Sequence, residues 1–139
     1  MKYIHKIFIG IFILGLLSVS SCVEPEGTVP FAKVNFSVSV ENGNLVHVGG
    51  HEYYTGGVSG IIIYRLDMTN FCAYDRACPY DWKEDGYVVY DPATLLLTCK
   101  TCGSTFNILN GYPMEGSKAG VLRMYQARMI NDFTLHVYN

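Results

Sequence analysis

The residues in this chain best suited to chemistry are cysteines. It has five among its 139 residues, and four of them crowd the middle: Cys72, Cys78, Cys99 and Cys102. Cys99 and Cys102 share the run "TCKTCGSTF" (98–106), and Cys78 lies upstream in "ACPYDW" (77–82). Thiols so placed suit a metal site, a redox disulfide or two structural disulfides. Four thiolates are the right number for structural zinc, although the five-residue gap between Cys72 and Cys78 is unusual for a zinc knuckle. A thiol–disulfide centre at Cys99/Cys102 would ordinarily sit at a helix N-terminus, which lowers the thiol pKa. Here Gly103-Ser104-Thr105-Phe106 reads as a turn entering a strand. The charged run Asp81–Asp85, "DWKED", reads as a solvated loop, and Trp82 as a shield for the cysteine loops or a partner contact. No Ser-His-Asp set, phosphate loop or paired-carboxylate pattern points to hydrolysis.

These loops need a scaffold, and the chain supplies one after an export signal. Lys2 and Lys6 precede the apolar run Ile7–Leu17, and small residues lead to Cys22. That order describes a secretory signal, and the apolar run is shorter than the roughly 20 residues of a membrane span. Val19-Ser20-Ser21-Cys22 resembles a bacterial lipobox, which implies cleavage before Cys22 and lipid on its sulfur. Residues 1–21 are therefore expected to be a lipoprotein signal peptide and 22–31 the lipidated cysteine and a Pro-containing tether. Residues 32–139 form one domain. The expected location is the cell envelope, lipid-anchored and facing the periplasm or the surface. Removing Lys2 and Lys6 leaves 8 basic against 12 acidic residues, a formal charge of −4. With no basic run, nucleic acid is excluded as a natural partner.

From residue 32 onward the pattern is strands and turns. Val34, Phe36, Val38 and Val40 alternate with polar residues, a period of two. "IIIYRLD" (61–67) and "FCAYD" (71–75) read as strands, and "YVVYD" (87–91) and "LLLTC" (95–99) as a hairpin through Pro92. Asn110-Gly111 marks a tight turn. Met124–Ile130 has a helical alternative, but Asn131-Asp132 followed by alternating apolar residues favours a final hairpin. Strands this short and evenly spaced predict an all-β antiparallel sandwich or barrel with its chemistry on loops at one end. His47 and His51 are expected in an exposed turn, His136 on a strand surface, and Tyr53, Tyr54, Tyr87 and Tyr90 in sheet packing.

Five motifs now fall in a recognisable order: Gly49-Gly50, "FCAYDRACPYDW", "CKTCGSTFNILNGYPMEG", "GSKAGVL" and "LHVYN". In that order they resemble the Rieske domain. The resemblance implies a 2Fe–2S cluster between two loops, each supplying one Cys and one His, with two thiolates on one iron and two imidazoles on the other. Cys78 and Cys99 match the two cysteines. Tyr80 stands at the first histidine position and Cys102 at the second, and no histidine lies in either loop. The resemblance thus implies metal ligands Cys78, Cys99 and Cys102, with Tyr80 as a fourth by phenolate or Cys72 in its place. A cluster richer in anionic ligands has a lower potential than a histidine-ligated one. The family's serine that hydrogen-bonds cluster sulfur matches Ser104. The family's loop-bracing disulfide is absent, its positions being Lys83 and Thr101, and Ser117 and Val121 replace two prolines of the covering loop. Lys118 takes the place of a small residue in that loop. The implied function is one-electron transfer to a redox protein partner. The alternative is a degenerate fold, without metal, serving as an envelope binding module.

Overall fold

The computed structural model describes residues 28–139; the expected signal peptide, Cys22 and most of the expected tether lie outside them. Among the described residues, nine strands form two antiparallel sheets: β1 (Asn35–Ser39), β2 (His51–Tyr54), β3 (Ile61–Arg65), β4 (Phe71–Asp75), β5 (Val88–Asp91), β6 (Leu96–Cys99), β7 (Thr105–Asn107), β8 (Met124–Asn131) and β9 (Thr134–Tyr138). Six strands join in the order β1-β9-β8-β4-β3-β2, and β5-β6-β7 make a second, smaller sheet. The antiparallel all-β architecture expected from the sequence is the one found.

β3 and β4 explain the layering. Every residue in both strands is buried, so both faces of the sheet are covered there. Side chains alternate across a strand. Ile61, Ile63, Phe71 and Ala73 accordingly enter one core with Leu45, Tyr125, Leu135 and Val137. Ile62, Tyr64, Cys72 and Tyr74 enter the other, against Val88, Leu97, Phe106 and Ile108 of the small-sheet side. The six-stranded sheet curls over the first core because β8 serves two neighbours. Its first residues pair with β4 (Ala73↔Tyr125) and the rest pair with β9, with an irregularity at Met129/Asn131. Each fully buried Ile or Leu contributes roughly 1.5–3 kcal/mol by leaving water, so the second core fixes the small sheet firmly against β3 and β4.

The hairpins lie where the sequence pattern puts them: β5 pairs with β6 (Val88↔Cys99) and β8 with β9. Residues 44–46 form a single 3-10 turn. Gly50 packs so tightly on Asn44 that a Cβ there would lie 1.8 Å from the Asn44 carbonyl oxygen. The folded part also begins earlier than residue 32. Val29 is buried and its carbonyl accepts from the Arg123 guanidinium.

β4 ends in a buried anchor. The Asp75 carboxylate accepts from the N–H groups of Val58 (2.7 Å), Ser59 (3.1 Å) and Ala77 (2.8 Å) and from the Tyr125 hydroxyl (2.7 Å). It ties the glycine-rich turn after β2, strand β8 and the root of the first cysteine loop into one unit. Gly57, at φ 62°, is needed there, since a Cβ would stand 2.3 Å from Asp75 Oδ2.

Candidate metal centre

The two cysteine loops meet at one end of the small sheet. The first runs from Cys78 to Gly86 and closes on itself. The Asp81 N–H donates to the Cys78 carbonyl (3.1 Å), Glu84 and Gly86 N–H to the Asp81 carbonyl (both 2.9 Å), and Cys78 N–H to the Gly86 carbonyl (2.9 Å). Trp82–Glu84 forms a single 3-10 turn inside it, and Asp85 takes a left-handed conformation to close it. The second loop leaves β6 at Cys99 and returns through Gly103. Gly103 N–H donates to the Cys99 carbonyl (3.1 Å) and Cys99 N–H to the Ser104 carbonyl (2.8 Å). Gly103, at φ 74°, supplies the left-handed residue for that turn. A third segment rests on the second loop: Ser117 Oγ takes the Thr105 N–H (3.0 Å) and donates to the Thr105 carbonyl (2.8 Å).

Three thiols and one carboxylate converge at the loop tips. One donor atom from each of Cys78, Asp81, Cys99 and Cys102 lies within 4.8 Å of every other. The sulfurs of Cys78 and Cys102 are 3.8 Å apart, and the Cys99 thiol stands 3.4 Å from Asp81 Oδ2. All four cysteines of the domain are free thiols, so neither a structural disulfide nor an oxidised Cys99/Cys102 pair is present. Cys78, Asp81 and Cys99 are buried; Cys102 is half-buried and marks the side open to solvent. The Cys102 thiol donates to Ser104 Oγ (3.1 Å), which also accepts from the Lys118 N–H (3.2 Å). A hydroxyl can turn and donate to a thiolate in its place, so Ser104 sits where it can steady an ionised Cys102.

Electrostatics here oppose bare thiolates. Burial pushes the Cys78 thiol up to about 12, and the N–H groups of Asp81 and Tyr80 pull it back only in part. Burial also raises Cys99, against the N–H groups of Cys102 and Thr101. Both sulfurs therefore stay protonated in an empty site and lose their protons only to something that compensates the charge, as a metal ion does.

The donors expected from the sequence divide here. Cys78, Cys99 and Cys102 come together, with Ser104 beside them. Tyr80 does not join them: its side chain is 54% exposed. The first loop carries residue 80 around its outside and turns Asp81 inward, so Asp81, read as part of a solvated run, replaces Tyr80 as the inward group. Gly86 permits this, because a Cβ there would lie 2.3 Å from the Asp81 Cβ. Cys72 is also apart, its thiol donating to the Leu109 carbonyl (3.4 Å) inside the core. This removes the four-cysteine zinc set as a possible grouping. The signal for Asp81 was in the spacing: Cys78-x-x-Asp81 repeats the interval of Cys99-x-x-Cys102. The histidines lie elsewhere. His51 packs its ring on Tyr90 (4.6 Å between centroids) and is half-buried rather than exposed, which lowers its pKa. His136 Nε2 pairs with Asn35 Oδ1 (2.6 Å), and His47 is exposed.

No family model and no curated protein matches the sequence. Solved structures do resemble the fold. The ferredoxin of carbazole 1,9a-dioxygenase from Nocardioides aromaticivorans IC177 superposes with a TM-score of 0.50 at 14% identity, covering 78% of this chain and 98% of that one. A chain from the complex of reduced oxygenase and oxidized ferredoxin in carbazole 1,9a-dioxygenase gives 0.47 at 18% identity, covering 65% and 81%. The fold is Rieske-like. The donor set nevertheless does not fit the two-iron cluster that the sequence resemblance implies. Such a cluster takes two pairs of ligands, one pair on each iron. Here all four donors crowd within 4.8 Å of one another, and none is histidine.

Proposed function

We propose that this domain is a thiolate metal centre, anchored in the cell envelope by lipid on Cys22, that passes single electrons to a protein partner. The observation that carries the reading is the convergence of the Cys78, Cys99 and Cys102 sulfurs with the Asp81 carboxylate at the tips of two loops on a Rieske-like scaffold. A redox-active metal held there supplies a one-electron change of charge. The chain's own residues do the rest. Buried Cys78 and Cys99 keep water from one side, N–H groups point at both sulfurs, and half-exposed Cys102 offers the edge nearest a partner. Tyr80, exposed on the first loop, is a surface such a partner can cover.

The test is anaerobic purification of the full chain from membranes, followed by iron analysis, visible absorption and a redox titration. A coloured, iron-bearing protein with a reversible one-electron wave is expected. Its membrane association should be lost in Cys22→Ala. A folded protein without iron and without a redox wave overturns the electron-transfer reading. The absence of both cluster histidines favours a second reading, a binding module without metal, and a fully metal-free yet folded protein is the outcome that would establish it.

A further inference from the structure

We infer that the two loops hold a single tetrahedral metal ion, ligated by Cys78, Asp81, Cys99 and Cys102, in place of a two-iron cluster. The inference deepens the metal-centre reading and rests on it. Distances come first. Thiolates bound to one tetrahedral ion at about 2.3 Å stand about 3.8 Å apart, and a carboxylate oxygen at about 2.0 Å stands about 3.5 Å from each sulfur. The Cys78 and Cys102 sulfurs are 3.8 Å apart and Asp81 Oδ2 is 3.4 Å from the Cys99 sulfur. The pocket thus has the dimensions of one ion before any ion enters.

The loops also match each other. In each, a cysteine is followed three residues later by the second donor, Asp81 in one and Cys102 in the other. In each, N–H groups two and three residues on point back at the cysteine sulfur: Tyr80 and Asp81 at Cys78, Thr101 and Cys102 at Cys99. Two such knuckles facing one another are a common way to enclose one ion. Three soft thiolates and one carboxylate in a tetrahedral set select Zn2+ or Fe2+ and disfavour Mg2+ and Ca2+. Four protein donors close the shell, leaving no position for substrate, so the ion is structural or an electron carrier.

Cobalt(II) titration of the metal-free full chain under anaerobic conditions tests this. Expected are saturation at one equivalent and the absorption of tetrahedral, thiolate-bound cobalt. Asp81→Asn should weaken binding at least tenfold and shift the ligand-field bands, and Cys99→Ser should abolish them. Should either variant fail to fold, X-ray absorption at the metal edge of the wild-type protein gives an independent readout: three sulfur scatterers and one oxygen. Two metal ions per chain with acid-labile sulfide, or cobalt bands unchanged in Asp81→Asn, would overturn the single-ion site. Two irons with sulfide would leave electron transfer standing. A chain that binds one cobalt ion but carries only zinc in cells would defeat electron transfer and leave the single-ion site intact.

Discussion

Asp75 and Asp81 are both buried carboxylates, six residues apart, on the same run of chain. Asp75 is saturated: four donors, three backbone and one hydroxyl, fill its acceptor positions. Asp81 meets one weak donor among the described residues, the Cys99 thiol at 3.4 Å, and its other neighbours are sulfurs. A carboxylate costs several kcal/mol to bury without partners. Asp75 offsets that cost within the fold, as structural carboxylates do. Asp81 instead faces three thiols and accepts from one of them, surroundings that a cation could share.

The largest effect expected from this contrast is on stability. Asp75→Ala strands three backbone N–H groups, that of Ala77 fully buried, and the Tyr125 hydroxyl, and should cost about 3–5 kcal/mol. Urea unfolding of the metal-free protein measures it. Asp81→Ala in the same assay should stay within about 1 kcal/mol, and equal losses from the two would erase the distinction. Next in size is Gly86→Ala, whose new methyl collides with the Asp81 Cβ. Overpacking of this kind costs about 1–3 kcal/mol. It should also weaken metal binding by displacing Asp81, although residue 86 touches no metal; normal affinity in this variant would show that the loop has slack.

The Asp75 anchor has a pH signature as well. Burial, and then the neighbouring Asp75 carboxylate, raise the Tyr125 hydroxyl well above its ordinary value. Unfolded tyrosine ionises near pH 10. The stabilisation from Tyr125 is therefore complete below about pH 10 and declines as pH rises beyond it, since only the unfolded chain then loses the proton readily. Tyr125→Phe should lose roughly 1 kcal/mol at neutral pH and show a shallower decline in unfolding free energy above pH 10. An identical alkaline slope in the two proteins would remove Tyr125 from the account.

What the sequence made legible follows the strength of each local signal. β3 and β4 stand out because Ile61–Ile63 and Phe71–Ala73 are apolar on both faces, as strands covered on both sides must be. Alternation also places Cys72 and Tyr74 on one face, inside the core and away from the loops. The five ordered motifs reveal the Rieske-like fold and both loops. Asp81 stayed hidden because Asp, Lys, Glu and Asp in five residues read as solvent-facing. Composition does not show that the chain closes from Cys78 to Gly86 and folds one of those carboxylates inward. Position-by-position transfer from the family singled out Tyr80, because the familiar loop offers its ligand two residues after the cysteine. Here residue 80 is exposed, and the carboxylate beside the thiols belongs to the third residue, Asp81.

The smallest effect is the most pointed. Tyr80→Phe removes only a hydroxyl from a side chain that is 54% exposed. If Asp81 is the inward donor, the change should alter stability by less than about 0.5 kcal/mol and leave metal affinity and absorption as they were. A Tyr80 ligand predicts otherwise. Its phenol would have to give up its proton to the metal, and phenolate coordination to ferric iron adds a charge-transfer band that Phe must abolish. Loss of such a band in Tyr80→Phe would mean that the first loop turns over when metal enters, bringing residue 80 in and Asp81 out. Gly86→Ala would then clash only in the metal-free arrangement and, by disfavouring it, strengthen metal binding. The two substitutions together therefore fix which way round the loop sits.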